Sequence, residues 1–169
     1  MSEILNKVSQ LLYNNLWKNP VPLNYLIIER GLKAATLHKF KVGFDFNNIV
    51  YNVSTKNKWF NDVKKVDLVV YGKDYFNGYI TFPIFKDNNV LNITSRALGN
   101  LNPKHKTVKG LSKNYLYNMN ALTSKAIIVV ESPIDVITLE QYGFFAVGLL
   151  GVNLKPTLVP LFGNKKKPY

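Results

Sequence analysis

The chain has 169 residues, and its 22 lysine and arginine residues outweigh its 10 aspartate and glutamate residues by a formal charge of +12. An excess of this size favours a polyanionic partner such as nucleic acid, and a solvated lysine-rich surface is the alternative interpretation. The hydrophobic content of 47% excludes wholesale disorder, and the absence of cysteine excludes disulfides, thiolate zinc sites and thiol catalysis.

The first predicted element is an amphipathic helix over residues 2–17. Its apolar side chains recur at the i, i+3, i+4, i+7 spacing of one helical face, and Pro20 ends it. The segment has none of the features of a signal peptide. No run approaches the roughly 20 apolar residues of a membrane span, so we expect a cytoplasmic protein with no membrane partner.

Two short helices follow, over residues 22–30 and 34–40, and Gly31 ends the first of them in the manner of a C′ glycine. Short runs rich in β-branched residues at 49–54 and 68–71 are expected to be strands. The residues between these two runs are polar and are expected to form a loop.

A β-hairpin is predicted next. Residues 78–85 alternate and are rich in β-forming side chains, and Asp87-Asn88-Asn89 indicates a turn. Residues 90–94 would form the returning strand. From residue 95 to residue 124 the sequence is polar and basic, and we expect irregular structure there.

The segment after the hairpin carries one sign of charge. No aspartate or glutamate occurs between Asn88 and Val130. A loop with only positive charges repels itself unless an anion such as a phosphate neutralises it, although a solvated loop remains the alternative. The planar guanidinium of Arg96 suits phosphate. The side chains that would need such an anion are Arg96, Lys104, Lys106, Lys109, Lys113 and Lys125.

The chemical character changes after this basic segment. Residues 126–130 form a continuous apolar run, which is typical of a strand buried on both faces. A helix over 133–142 and a second apolar run at 144–149 complete a βαβ pattern. The chain is therefore predicted to be α+β, with a mixed lobe over residues 1–120 and an open parallel α/β sheet over residues 121–169.

Two carboxylates stand just beyond the first of these buried strands. Glu131 follows the apolar run directly, at the edge where open α/β sheets bind ligands, and Asp135 lies one helical turn further on. Oxygen ligands of this kind suit Mg²⁺ or Mn²⁺. Asp135 also fits a capping box with Ser132, which would explain it without chemistry, but capping does not explain Glu131.

A resemblance to a known family rests on this segment. Residues 127–139, Ile-Ile-Val-Val-Glu-Ser-Pro-Ile-Asp-Val-Ile-Thr-Leu, together with Gly143 and the run 147–151, resemble the first motif of the Toprim domain. That domain occurs in bacterial-type primases, topoisomerases and several nucleases. The resemblance places the catalytic acid at Glu131. Ser132 stands where glycine is commonest, as in primase-like proteins of phages and mobile elements.

Motifs upstream narrow the resemblance to the catalytic core of bacterial-type DNA primases. Arg30-Gly31-Leu32, Phe82-Pro83-Ile84, Ser95-Arg96-Ala97-Leu98 and Pro103-Lys104 resemble motifs of that core in the same order. The resemblance implies that Arg96, Lys104 and Lys113 contact nucleotide or template. The partners expected from it are a single-stranded DNA template, nucleoside triphosphates and a replicative helicase.

The implied activity is template-directed RNA primer synthesis in DNA replication, by metal-dependent nucleotidyl transfer. In the family an Asp-x-Asp motif completes the metal site, and no aspartate or glutamate follows Glu140 in this chain. We therefore expect a truncated chain, or half of a split primase that a second polypeptide completes, or a degenerate binder. The alternative functions are a noncatalytic single-stranded DNA-binding replication protein and a Toprim nuclease.

Overall fold

The structure is a computed structural model and describes residues 2–111 and 114–163. It divides into two compact units, residues 1–111 and residues 112–169. The first unit mixes helices with an antiparallel sheet and the second contains a parallel βαβ unit, so the predicted α+β class is confirmed. The predicted domain limits, 1–120 and 121–169, stay a prediction. No helix in the described ranges is long and apolar enough to cross a membrane.

The N-terminal helices of the first unit follow the prediction closely. Helix α1 spans Ser2–Leu16. Helix α2, Pro20–Asn24, continues into a π-helical segment, Tyr25–Glu29, and Gly31 follows it with a φ of +66°. Helix α3 spans Ala34–Lys39. The buried face of α1 carries the predicted apolar residues Ile4, Leu5, Val8, Leu12 and Leu16.

The predicted strand at 49–54 is wrong, because this segment forms helix α4, Ile49–Lys56. The backbone N–H groups of Val50 and Tyr51 donate to the carboxylate of Asp74, at 2.7 and 2.8 Å. Asp74 lies more than 20 residues away in sequence, and it therefore provides a distant hydrogen-bond acceptor for the unpaired backbone N–H groups in the first turn of the helix. This tertiary contact outweighs the strand preference of β-branched residues.

The expected polar loop between the two runs is also wrong in part. Helix α5 spans Phe60–Lys65 within it. The predicted strand at 68–71 is present in shortened form, as β2, Val69–Val70, which pairs antiparallel with β3, Lys73–Asp74.

A four-stranded antiparallel sheet forms the centre of the first unit, in the order β1-β4-β5-β6. The hairpin prediction is confirmed, whereas β6 lies in the segment that was expected to be irregular. A side chain at Gly43 would meet the backbone of Leu12 at 2.8 Å, so glycine allows α1 to lie close against β1. The strands are β1, Gly43–Phe44; β4, Tyr79–Lys86; β5, Asn89–Ala97; and β6, His105–Thr107.

The second unit contains the predicted βαβ pattern. Strands β7, Ile128–Val130, and β8, Ala146–Gly148, are parallel, and α6, Pro133–Gln141, connects them. The prediction that the first strand is buried on both faces is wrong, because Ile128 and Val129 are 39% and 44% exposed. In the described part of this unit the sheet has only these two strands, and these two neighbouring residues, which point to opposite faces of β7, are both partly exposed.

Candidate nucleic-acid and metal sites

The two arginines of the chain meet at one tyrosine. Arg96 lies near the end of β5, and its Nε donates to the hydroxyl of Tyr25 at 3.1 Å. Nε of Arg30 donates to the same hydroxyl at 2.9 Å. The Arg30 guanidinium also lies over the Tyr25 ring, 5.1 Å from its centre. We call Tyr25, Arg30 and Arg96 the arginine site.

The π-helical segment explains this geometry. The N–H of Arg30 donates to the carbonyl oxygen of Tyr25 at 3.0 Å, which is the i→i+5 bond of a π-helical turn. In an α-helix, residues five apart point about 140° away from each other, since each residue turns the helix by about 100°. The wider turn brings Tyr25 and Arg30 to the same side.

The electrostatics of the arginine site suit an anion. Among the described residues, neither Arg30 nor Arg96 forms an ion pair with a carboxylate. Two guanidinium groups that share one hydroxyl repel each other, and a bound phosphate would offset that repulsion. Their planar forks match phosphate oxygens in geometry as well as in charge.

Lys104 and His105 lie beside Arg96. The carbonyl oxygen of Lys104 accepts from the N–H of Ala97 at 2.8 Å, so Lys104 faces the end of β5 across the β5–β6 turn, with an exposed side chain. His105 is the partner of Arg96 in the sheet. Burial lowers the pKa of His105, a hydrogen bond with the carbonyl oxygen of Ser95 opposes this in part, and the positive charges of Arg96 and Lys104 lower the pKa further. The neutral form of His105 is therefore favoured in this basic setting.

The remaining lysines of the basic segment occupy different places. Nζ of Lys106 donates to the carbonyl oxygen of Tyr75 at 2.9 Å and lies 4.2 Å from the centre of the Tyr79 ring, so this lysine points inward. Lys109 is exposed, and it follows the point at which the chain pairs with Ile93, about 10 Å along β5 from Arg96. Lys113 lies outside the described residues.

The carboxylates of the second unit have distinct roles. Oγ of Ser132 donates to the Asp135 carboxylate at 2.7 Å and accepts from the Asp135 N–H at 3.3 Å. Ser132 is therefore the N-cap of α6, and its hydroxyl engages the Asp135 carboxylate. Glu131 is exposed directly after β7 and takes no part in the cap. No group of three or more potential metal-ligating side chains occurs among the described residues, so these two acids form at most part of a metal site.

The edges of the small parallel sheet place Glu131 at a distinctive position. Tyr117 pairs with Gly148 through two backbone hydrogen bonds of 2.9 and 3.1 Å, which occupies the outer edge of β8. Within the described part of the chain, the outer edge of β7 carries no strand. Ligands of open α/β sheets bind outside the carboxyl ends of the strands, and Glu131 directly follows the carboxyl end of β7.

Comparison with known proteins links both units to one family. No family model matches the chain. A DNA primase of Helicobacter pylori strain J99 is 33% identical over 177 residues, covering 94% of this chain and 31% of that protein. A DNA primase of Buchnera aphidicola is 28% identical over 178 residues, with 94% and 30% covered. The chain thus spans about a third of the length of these relatives.

Solved structures agree in fold. The E. coli primase catalytic core has a TM-score of 0.76 at 22% identity, covering 97% of this chain and 59% of that one. The zinc-binding and RNA polymerase domains of the Aquifex aeolicus primase have a TM-score of 0.83 at 19% identity, covering 96% of this chain and 45% of that one. A DnaG catalytic domain bound to single-stranded DNA has a TM-score of 0.78 at 23% identity, covering 97% of this chain and 57% of that one. The resemblance to bacterial-type DNA primases is confirmed.

Two residues of the arginine site were not among the predicted site residues of this primase-like chain. Arg30 belongs to an Arg-Gly-Leu motif that resembles the primase core, and the pair Tyr25-Leu26 resembles the same core, but the sequence predicts no site role for either residue. A signal was present, because Arg30 and Arg96 are the only arginines among 22 basic residues. What the sequence did not indicate is the π-helical turn, which is needed to bring them together.

Proposed function

We propose that this chain forms the nucleic-acid-facing part of a primase catalytic core, which synthesises RNA primers on a single-stranded DNA template. The observation that carries the proposal is the convergence of Arg30 and Arg96 on Tyr25, beside Lys104, in a chain similar to primases over 94% of its length. The single-stranded DNA bound to one related catalytic domain supports the choice of template.

In this proposal the arginine site and Lys104 bind phosphates of the template or of an incoming nucleoside triphosphate. Lys109 is exposed further along the same basic segment, and Lys113 is a further proposed phosphate contact. Arginine forks hold phosphate oxygens in fixed positions, whereas the lysines act as mobile point charges. Orientation of the nucleotides would therefore depend mainly on Arg30 and Arg96.

Glu131 is the proposed catalytic acid, at the carboxyl end of β7. Together with Asp135 it would contribute oxygen ligands to a site for Mg²⁺ or Mn²⁺, and the fit rests on the exposure of both carboxylates at the sheet edge. Such ions activate an attacking hydroxyl and stabilise a leaving phosphate. We propose that residues outside this chain supply the other carboxylates, on the same or a second polypeptide, and that a replicative helicase is a further partner.

The test is Glu131→Gln in the complete primase or complex, assayed for primer synthesis on single-stranded DNA with nucleoside triphosphates and Mg²⁺. We expect a loss of at least about 100-fold, as for removal of a group that stabilises the transition state. Asp62→Asn, an exposed acid-to-amide change on α5, is the matched control and should leave the rate unchanged. Unchanged priming by Glu131→Gln would contradict the assignment.

The alternative functions are not favoured. A noncatalytic binder needs only the basic first unit, and a Toprim nuclease needs only the second, whereas the similarity to primases runs through both. A nicking assay on the same complete protein distinguishes the nuclease, because a primase core should not cleave DNA under priming conditions.

A further inference from the structure

A broad groove of about 780 Å³ lies on the first unit, between α1, α4 and the tip of the β4–β5 hairpin. This volume is within the range of small-molecule sites, roughly 300–1,000 Å³. Its walls combine amide, aromatic and basic side chains. The residues that carry the inference are Asn6, Gln10, Asn14, Lys41, Trp59 and Phe85.

Three amides line the α1 side of the groove at intervals of four residues, so they form one stripe along the helix. Asn6 anchors the stripe to the hairpin, because its Oδ1 accepts from the N–H of Val90 at 2.8 Å and its Nδ2 donates to Oδ1 of Asn89 at 3.3 Å. Nε2 of Gln10 donates to Oδ1 of Asn14 at 2.9 Å, which fixes the orientation of both amides. The Gln10 side-chain carbonyl and the Asn14 amino group take no part in that bond, and they are an acceptor and a donor of the kind that pair with base edges.

The opposite wall supplies apolar rings and the groove has a positive character. Trp59 and Phe85 are half-buried, and both line the groove. Among the described lining residues there is no carboxylate, and two are lysines, Lys7 and Lys41. Lys7 is paired with Glu3 at 2.7 Å, so Lys41 carries the uncompensated charge.

Lys41 links the groove to an aromatic cluster at the end of α1. Its ammonium lies 4.7 Å from the centre of the Tyr13 ring. The hydroxyl of Tyr13 lies 2.6 Å from Nδ1 of His38, and the His38 ring stacks on Trp17 at 4.0 Å. His38 is exposed, so the stack presents a fixed ring at the surface. Bases of a single strand stack on such rings regardless of sequence.

The hairpin-tip end of the groove is separate from the arginine site. Val90 lines the groove and Arg96 lies six residues further along the same strand, which corresponds to about 20 Å. The two surfaces can therefore be altered independently.

We infer that this groove is a second binding site for single-stranded nucleic acid. The aromatic rings stack bases, the amide stripe contacts base edges, and Lys41 contacts the backbone phosphate. The site goes beyond the proposed priming chemistry, since it holds the strand away from the arginine site and the carboxylates.

The test uses the full chain and a labelled single-stranded DNA oligonucleotide, with binding measured by fluorescence anisotropy at fixed salt. Trp59→Ala should weaken binding about tenfold, as expected for loss of one stacking ring. The double variant Gln10→Glu, Lys41→Glu should weaken it further by charge repulsion. Lys73→Glu, an exposed charge reversal on β3 outside the groove, is the matched control and should have a smaller effect than the double variant.

A local readout separates this site from the arginine site. The chain has two tryptophans, Trp17 and Trp59, so Trp17→Phe leaves Trp59 as a reporter within the groove. DNA should quench Trp59 fluorescence, and quenching should persist when Arg96→Ala weakens overall binding. Thermal melts verify folding of each variant. If DNA at saturation leaves Trp59 unquenched, and the groove variants bind as the wild type does, the inference fails and a protein partner becomes the better occupant.

Discussion

In the first unit six of the eight residues of β4 are buried, whereas in the second unit two of the three residues of β7 are exposed. The difference lies in what covers each sheet. Helix α1 packs on the antiparallel sheet of the first unit, together with α4 and α5, in one core. A strand with exposed valine and isoleucine forgoes hydrophobic stabilisation that another layer would provide.

This contrast also separates the two candidate sites. The arginine site is formed within one unit from α2, its π-helical extension and β5, so its geometry is complete there. The site at Glu131 has two carboxylates, and one of them is engaged by a helix cap. Binding of nucleic acid can therefore be tested on this chain, whereas priming has to be tested on the complete protein.

The largest expected effect is on the free energy of unfolding, and it should distinguish the core of the first unit from that of the second. Leu12 is fully buried under the antiparallel sheet. Leu12→Ala should lower the free energy of unfolding by about 2–5 kcal/mol, because the change leaves a cavity. Val129 of β7 is 44% exposed, so Val129→Ala should lower the free energy of unfolding by less than about 0.5 kcal/mol. Denaturant titrations measure both. A large loss for Val129→Ala would show that this side chain is covered in solution, and would break the comparison.

The helix caps provide a second matched pair. Asp74→Ala removes a carboxylate that accepts two backbone bonds at the start of α4, and should cost about 2 kcal/mol. Ser132→Ala removes one bond at the start of α6 and should cost about 1 kcal/mol. Circular dichroism during urea unfolding reports both. Equal losses would argue against the stronger, long-range cap in the first unit.

The smallest effect concerns pH. Burial raises the pKa of Asp45 well above its usual range, the charge of Asp74 raises it further, and Lys106 counters this in part. The stabilising contribution of the protonated form is therefore complete below the unfolded pKa of about 3.9 and is lost as the pH rises through the raised folded pKa.

Asp45→Asn should accordingly raise the melting temperature at pH 7 by a few degrees, the shift expected from about 1 kcal/mol. The gain in melting temperature should be smaller near pH 4. Asp62→Asn, at an exposed position of α5, should show no gain. An equal gain at both pH values would mean that the effect does not arise from titration of Asp45. The second unit has no buried carboxylate among its described residues, so no comparable dependence is expected there.

Much of the fold follows from local pattern. The spacing of apolar residues predicted α1, the alternation around Asp87 predicted the β4–β5 hairpin, and two apolar runs around a helix predicted the βαβ unit. Segment 49–56 was predicted wrongly, because its β-branched residues favour a strand while its helix depends on a carboxylate supplied by Asp74. A local pattern cannot report such a distant partner.

The sequence by itself determined the chemistry of this protein: its positive charge, the segment without carboxylates, the acid after an apolar strand, and the order of primase-like motifs. Tertiary structure decided which of these groups act together. Arg30 and Arg96 are 66 positions apart and meet only because a π-helical turn and the end of a strand converge on the hydroxyl of Tyr25. The type of each residue is a local property of the chain, whereas which side chains lie close together depends on packing between distant segments.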